Sequence, residues 1–405
     1  MSIRPLPFYL PTLQMPRTLC QAGAIASLPA ELAALGVCRP LLVTDQGIVA
    51  AGLLARTLAA CGDTGAFILF DAVTENPLFA DVDDGAALYR SQDCDGVVAL
   101  GGGSVIDTAK MIALLGTNPG LAADYAGVPG VAHGPAAPLV VVPTTAGTGS
   151  EASPSAGIHP DAVTASVGMN SRHLIPRVAI LDPELTAGLP VRLTAATGID
   201  ALSHCIEAYF SRKDQPLGKA IALDGVARVA RHLRRAVAGG SDMAARSEMM
   251  LAAFGGGVSI GMGLGPAHAI ALACSDQGFH HGVLSGIGLV ATLDATVMHA
   301  PEAAAALASA FGLTSAAGLA AAIAALMREL GLPATLGELG YAAADVRALA
   351  EASHRSHFNI FAPFHPSADE YAAMIAASLG VAVPPASAQA GAGAPAITRH
   401  ERHGA

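Results

Sequence analysis

The stretch "VVALGGGSVIDTAK" (residues 97–110) passes from a β-branched apolar run through three glycines into a helical pattern. Glycines at the carboxyl end of a strand let the backbone come close to a phosphate, and the helix behind them offers unpaired N–H groups and a positive dipole end. Ser104 and Asp107 have the spacing of a capping box, which predicts a helix start at that point. Ile106 stands where a G-x-G-x-x-G fingerprint has its third glycine, so a tight strand-to-helix turn without a ligand stays open beside phosphate binding.

The same grammar extends on either side. "RPLLVTD" (39–45), "GAFILFD" (65–71), "DGVVALGGG" (95–103), "APLVVVPTT" (137–145) and "VAILD" (178–182) read as buried strands. Between them, "GIVAAGLLARTLAAC" and "FADVDDGAALYRSQ" space their apolar residues as helices do. This βαβ rhythm predicts an α/β domain with a parallel sheet covered on both faces. "PTTAGTGSE" (143–151) is a second loop of glycine and hydroxyls at a strand's carboxyl end, the edge where open α/β sheets bind ligands. Two such loops point to a nucleotide. Asp45 closes the first strong strand, where a carboxylate would accept the ribose hydroxyls of NAD and repel the extra phosphate of NADP; it is equally placed to cap the following helix.

After "DPELTAGLP" (182–190) strand signals fade, and from Thr194 to about Leu379 the chain is rich in Ala and Leu, with helices broken by Gly and Pro. The division expected is a dinucleotide-binding domain over 1–190, an all-helical domain over 191–382, and a disordered tail over 383–405. Apolar residues make up 52% of the 405 residues and charged ones 13%, which is a globular composition. A net charge of −10 without clustered Lys or Arg argues against nucleic acid and anionic membranes as partners and favours small molecules. The six cysteines form no CxxC pair, and the N-terminus lacks a signal peptide's apolar core, so a reducing cytoplasm is the expected compartment. From Met249 to Ser275 no Asp, Glu, Lys or Arg occurs, long enough to span a bilayer, but six glycines, Pro266 and His268 fit a buried helix pair better.

In "GIDALSHCIEAY" (198–209), Asp200 and His204 lie four residues apart, on one face of a helix. A carboxylate in an apolar helix is costly to bury unless paired or bound to a metal. His268, in "GLGPAHAIAL", and His280 and His281, in "GFHHG", follow within the same helical region. Three nitrogens and one oxygen suit zinc or ferrous iron with room for a substrate oxygen, while a local Asp–His pair and satisfied core histidines remain the alternative.

Taken together, "GGGSVIDTAK", "PTTAGTGSEAS", "LDPELTAGLP", "TGIDALSHCIEAY" and the "H…HHG" pair resemble the iron-containing, or group III, alcohol dehydrogenase family in order and separation, over roughly residues 7 to 380. Within it the chain looks most like the 4-hydroxybutyrate dehydrogenase branch. The resemblance implies a dinucleotide-binding domain, an all-helical metal domain and a cleft between them. It implies Asp200, His204, His268 and His281 as ligands of Fe2+ or Zn2+, His281 being preferred to His280 because the family's ligand directly precedes glycine. It implies Asp45, Asn76, Gly102, Gly103, Ser104, Thr144, Thr145 and Thr148 as contacts to NAD, with NADP less favoured, and a homodimer as the assembly.

Two departures stand out against that pattern. Where relatives commonly have a histidine four residues after the third ligand this chain has Leu272, and where they commonly have a lysine near the cofactor it has Ser166. The expectation is reversible hydride transfer between NAD(H) and a small alcohol or aldehyde, with the metal as Lewis acid. An omega-hydroxy acid and semialdehyde pair such as 4-hydroxybutyrate would need a cation in the cleft, the candidates being Arg172, His173, Arg355 and His357. "SHRSHFNIFAPFHPS" (353–367) falls where the family's substrate-end loop does. The alternatives are a relative that has lost chemistry and a non-redox NAD- and zinc-binding lyase of the dehydroquinate synthase-like type.

Overall fold

The computed structural model describes residues 13–62, 67–126 and 134–383, so the expected disordered tail lies almost wholly outside the described residues. In the first half β1 (Arg17–Cys20), α1 (Leu28–Ala34), β2 (Pro40–Val43), α2 (Gln46–Ala50), α3 (Leu53–Cys61), β3 (Ile68–Phe70), α4 (Phe79–Ser91), β4 (Gly96–Gly101) and α5 (Gly103–Thr117) follow in turn. Next come α6 (Ala122–Tyr125), β5 (Leu139–Pro143), a hairpin of β6 (Ser155–Ile158) and β7 (Val167–Asn170), and β8 (Val178–Leu181). The sheet order is β1-β8-β5-β4-β2-β3, and every described pairing in it is parallel.

All five expected strands are present. Their apolar runs are continuous because both faces of the sheet are covered. Leu41, Val43, Val97, Ala99 and Val141 turn toward Ile106, Ala109 and Ile112 of α5, whereas Leu42, Val98, Leu100, Val140 and Val142 turn toward Leu28 and Leu32 of α1. The period of two along each strand divides them between these layers. "GIVAAGLLARTLAAC" is split into α2 and α3 at Gly52, whose φ of 73° requires glycine. β1 and the β6–β7 hairpin lack a signal of this kind: β1 is a four-residue, mostly exposed edge strand, and the hairpin strands carry Ser, Gly and Asn.

From residue 191 the described chain is helical: α7 (Val191–Phe210), α8 (Pro216–Ala238), α9 (Met243–Ser259), α10 (Pro266–Ala273), α11 (His281–His299), α12 (Pro301–Phe311), α13 (Leu319–Glu329), α14 (Leu336–Leu339), α15 (Val346–Arg355) and α16 (Ala368–Leu379). Ile199, Leu202 and Ile206 of α7 are fully buried at the centre of one apolar cluster with Val226, Val229, Ile270 and Ile287. The uncharged Met249–Ser275 stretch is two helices bent by 97° at the Gly263–Gly265 break. Among the described residues α11 is long and apolar enough to cross a membrane by length and composition. It packs on α7 and α10, which bury its apolar face.

Candidate metal and nucleotide site

At the head of α5 the structure corrects the expected capping box. Gly102 is the N-cap and no side chain caps the helix. Ser104 instead donates its hydroxyl to the Glu75 carbonyl at 2.5 Å. Asp107 accepts from the Ser150 hydroxyl at 2.6 Å and from the Gly157 N–H at 2.9 Å. The helix therefore keeps its first N–H groups free of a side-chain acceptor, the condition under which a phosphate can occupy that end.

A Cβ on Gly103 would fall 2.6 Å from Thr148 Cγ2, and one on Gly102 would lie 3.4 Å from Thr145 Cγ2. These two glycines thus keep open a narrow space beneath the second loop. Thr144 is buried and its N–H donates to the Gly101 carbonyl, tying the loop to the end of β4. Asn76 is exposed on the loop after β3, its carbonyl accepting from Thr74. Asp45 does cap α2, accepting the Ile48 N–H at 2.8 Å. All eight residues named from the family pattern lie along the carboxyl ends of β2, β3, β4 and β5.

The second set converges in the helical half. One nitrogen or oxygen from each of Asp200, His204, His268 and His281 lies within 4.8 Å of the others. Asp200 Oδ1 is 3.9 Å from the Nε2 atoms of both His204 and His281. The edge of a tetrahedron around a zinc ion with bonds of about 2.1 Å is about 3.4 Å, so the side chains would draw in by roughly an ångström at the widest separations to close on an ion. The rings of His204 and His268 stack at 4.8 Å, and His281 lies 5.5 Å beyond His268.

Whether these residues fit a cation is tested by what they leave unsatisfied. Asp200 is 2% exposed and His268 1%, yet Asp200 Oδ1 and His268 Nε2 have no hydrogen-bond partner in the protein. Buried polar atoms are rarely left so, and a divalent ion satisfies both. Burial holds the His204 imidazole below its usual range, against the pull of Asp200. His281 keeps half of its side chain exposed, and partial burial, with the neighbouring histidines, holds it below its usual range against Asp200. Neutral imidazoles keep the lone pairs that ligation needs.

Sequence brings these groups together through helix contacts that only glycine permits. A Cβ on Gly282 would fall 2.3 Å from the Ala196 carbonyl oxygen and 2.9 Å from Asp200 Cβ, so the residue after His281 lets α11 close onto α7. A Cβ on Gly256 would lie 3.1 Å from His204 Cβ. The two sites meet where a Cβ on Gly257 of α9 would lie 1.9 Å from the Gly149 carbonyl oxygen of the nucleotide loop. His280 is the N-cap of α11, its Nδ1 accepting the Gly282 N–H at 3.1 Å.

Around the cage, Leu272 sits one turn beyond His268 on α10 and is partly buried. Phe358, in the expected substrate-end loop, meets the His268 ring edge-on at 5.7 Å, and the His357 ring lies tilted against Phe358 at 4.2 Å. Arg355 is exposed and paired with Glu351. Arg172 and His173 line a separate cavity of about 590 Å³ with Lys110, Leu139 and Arg177, at the amino ends of β5 and β8. That is the opposite edge of the sheet from the nucleotide loops, which removes both as partners of a substrate at the cage. Sequence reasoning missed Glu207, although it lies at i+7 from Asp200 on the same face of α7: it is 5% exposed and hydrogen-bonded to His268.

Comparison with known proteins supports both halves of the chain. Residues 16–183 match the model of the iron-containing alcohol dehydrogenases, and residues 194–379 match the C-terminal model of the Fe-containing alcohol dehydrogenase family. A 4-hydroxybutyrate dehydrogenase from Cupriavidus necator is 41% identical over 331 residues, 78% of this chain and 86% of that one. An NAD-dependent methanol dehydrogenase from Bacillus methanolicus is 33% identical over 355 residues, covering 85% and 92%. Among solved structures, a 1,3-propanediol oxidoreductase superposes with a TM-score of 0.84 at 32% identity, over 91% of this chain and 100% of its own. A sulfoacetaldehyde reductase from Bifidobacterium kashiwanohense, in complex with NAD+, also gives 0.84, at 28% identity over 91% and 98%. The chain belongs to the iron-containing alcohol dehydrogenase family, and it is an oxidoreductase.

Proposed function

We propose that the protein transfers hydride reversibly between NAD(H) and a short omega-hydroxy acid and its semialdehyde, 4-hydroxybutyrate being the first candidate. The observation that carries the reading is the convergence of Asp200, His204, His268 and His281 beside the nucleotide loops, with buried ligand atoms that no protein group satisfies. These four would hold Fe2+ or Zn2+, and either ion fits three nitrogens and one oxygen. A bound ion supplies Lewis acidity at the substrate oxygen.

The rest is done by the chain. Gly102, Gly103, Ser104, Thr144, Thr145 and Thr148 would receive the dinucleotide phosphates at the uncapped α5. Asn76 would flank them, and Asp45 would favour NAD over NADP by repelling a 2′-phosphate. Leu272 cannot move a proton, so the alcohol proton would leave through water, a ribose hydroxyl or His280. The loop carrying His357 and Phe358 covers the ligand His268 and is the wall against which the far end of the substrate would rest. The identity to a 4-hydroxybutyrate dehydrogenase supports the substrate class.

The same reading includes a domain division at about residue 190, a cytoplasmic, small-molecule enzyme without nucleic-acid or membrane partners, and a homodimer. Free cysteines and the burial of the apolar helices support the compartment. A screen of NADH oxidation over short aldehydes and semialdehydes, with iron, zinc or chelator added, tests the function. Turnover of succinic semialdehyde restored by Fe2+ or Zn2+ is expected. Full turnover after complete metal removal would overturn the reading.

A further inference from the structure

Glu207 sits on α7 three residues beyond His204, in the row that presents Asp200 and His204 to the cage. Its carboxylate reaches across to α10 and makes three contacts there. Oε1 accepts the Ala267 N–H at 2.7 Å, while Oε2 accepts the His268 N–H at 3.3 Å and the His268 Nδ1–H at 2.6 Å. α10 opens Gly265-Pro266, with no side chain of its own at the cap, so this distant carboxylate fills that role. A Cβ on Gly265 would lie 2.8 Å from Glu207 Oε1, and glycine there leaves the room.

A carboxylate accepts and does not donate, so at 2.6 Å the His268 Nδ1 must carry the proton. Nε2 is then the bare nitrogen, and it is the buried atom left without a partner on the cage side. One side chain thereby sets both the place of α10 and the tautomer of its ligand. We propose that Glu207 positions His268 for metal binding and fixes its tautomer, so that the metal affinity of this chain depends on a carboxylate that does not touch the metal. This rests on the metal reading of the cage. Partners of this kind are typically worth 10–100-fold in metal affinity.

The test is Glu207→Gln. The amide must turn its NH2 either toward His268 Nδ1, which drives the proton onto Nε2 inside the cage, or toward the Ala267 N–H, which opposes donor to donor. The metal-free variant should fold and bind NADH as the wild type does. Its Kd for Zn2+ by chelator competition should be about 10–100-fold weaker, and the visible spectrum of its Co2+ form should change. A role limited to capping α10 would lower stability and leave the Zn2+ Kd and the Co2+ spectrum unchanged, which would overturn the proposal. If the Gln variant does not fold, Glu207→Asp decides, since its carboxylate stops a methylene short: weaker Zn2+ binding supports the proposal and wild-type binding overturns it. A wild type that binds no metal would instead defeat the parent reading.

Discussion

At the scale of single residues, Leu272 stands where the family resemblance led us to expect a histidine, one helical turn past His268 and partly buried. A positioned general acid or base contributes roughly 10²–10⁴-fold when a reaction needs one. In the present account the proton passes through water, a ribose hydroxyl or His280 and not through residue 272, so Leu272→His should change kcat for succinic semialdehyde by less than about tenfold. A gain of about a hundredfold or more would mean that the native site is disabled or meant for another substrate. Glu151, in the nucleotide loop, is 3% exposed, and burial raises its carboxyl from 4.5 to about 7 against the pull of nearby Lys110. The folded state then binds the proton more tightly than the unfolded chain. The stability linked to Glu151 is fully present below pH 4.5 and is lost as pH rises through 7. Urea midpoints measured from pH 4.5 to 8 should fall less steeply in Glu151→Gln than in the wild type, and parallel profiles would refute the assignment.

Between elements, glycine-lined contacts hold the two sites in register. Gly257 on α9 is pressed against the backbone of Gly149, itself at φ 65° in the nucleotide loop. Gly257→Ala must push that loop away from α9, and overpacking of this kind typically costs about 1–3 kcal/mol. A lower urea midpoint together with weaker NADH binding is expected, and unchanged NADH affinity would show that the contact does not set the loop. Elements with a strong period were legible in the sequence: β2, β4, β5 and β8 are buried on both faces, β3 is apolar although its edge position leaves Leu69 exposed, and α4 buries residues at helical spacing. The start of α5 was misread because Ser104 and Asp107 do have capping spacing; tertiary partners at Glu75, Ser150 and Gly157 compete for those side chains and win. Short polar strands such as β6 and β7 pair only through the fold around them, so their residues carry little local signal.

Over the whole molecule, the chain joins a parallel sheet, whose carboxyl edge carries the proposed nucleotide loops, to a helical bundle whose apolar core holds the Asp200–His204–His268–His281 cluster. Spacing alone left a metal site and a local Asp–His pair with core histidines both open; the family resemblance is what singled out these four residues, and the fold brings them together. Glu207 was not legible, since a glutamate beside Asp200 and His204 reads equally as an exposed helix face until α10 is folded against it. The exclusion of Arg172 and His173 likewise needed the topology, which puts them at the amino ends of the strands. The most direct test of the central claim is a titration of metal-free protein with Fe2+ or Zn2+, reading bound metal per chain and NADH oxidation by succinic semialdehyde in the same samples, for the wild type and for Asp200→Asn. The account predicts one ion per wild-type chain, activity rising in proportion to occupancy, and loss of both in the variant. Full turnover without metal, or a variant that binds the ion as tightly as the wild type, would contradict it.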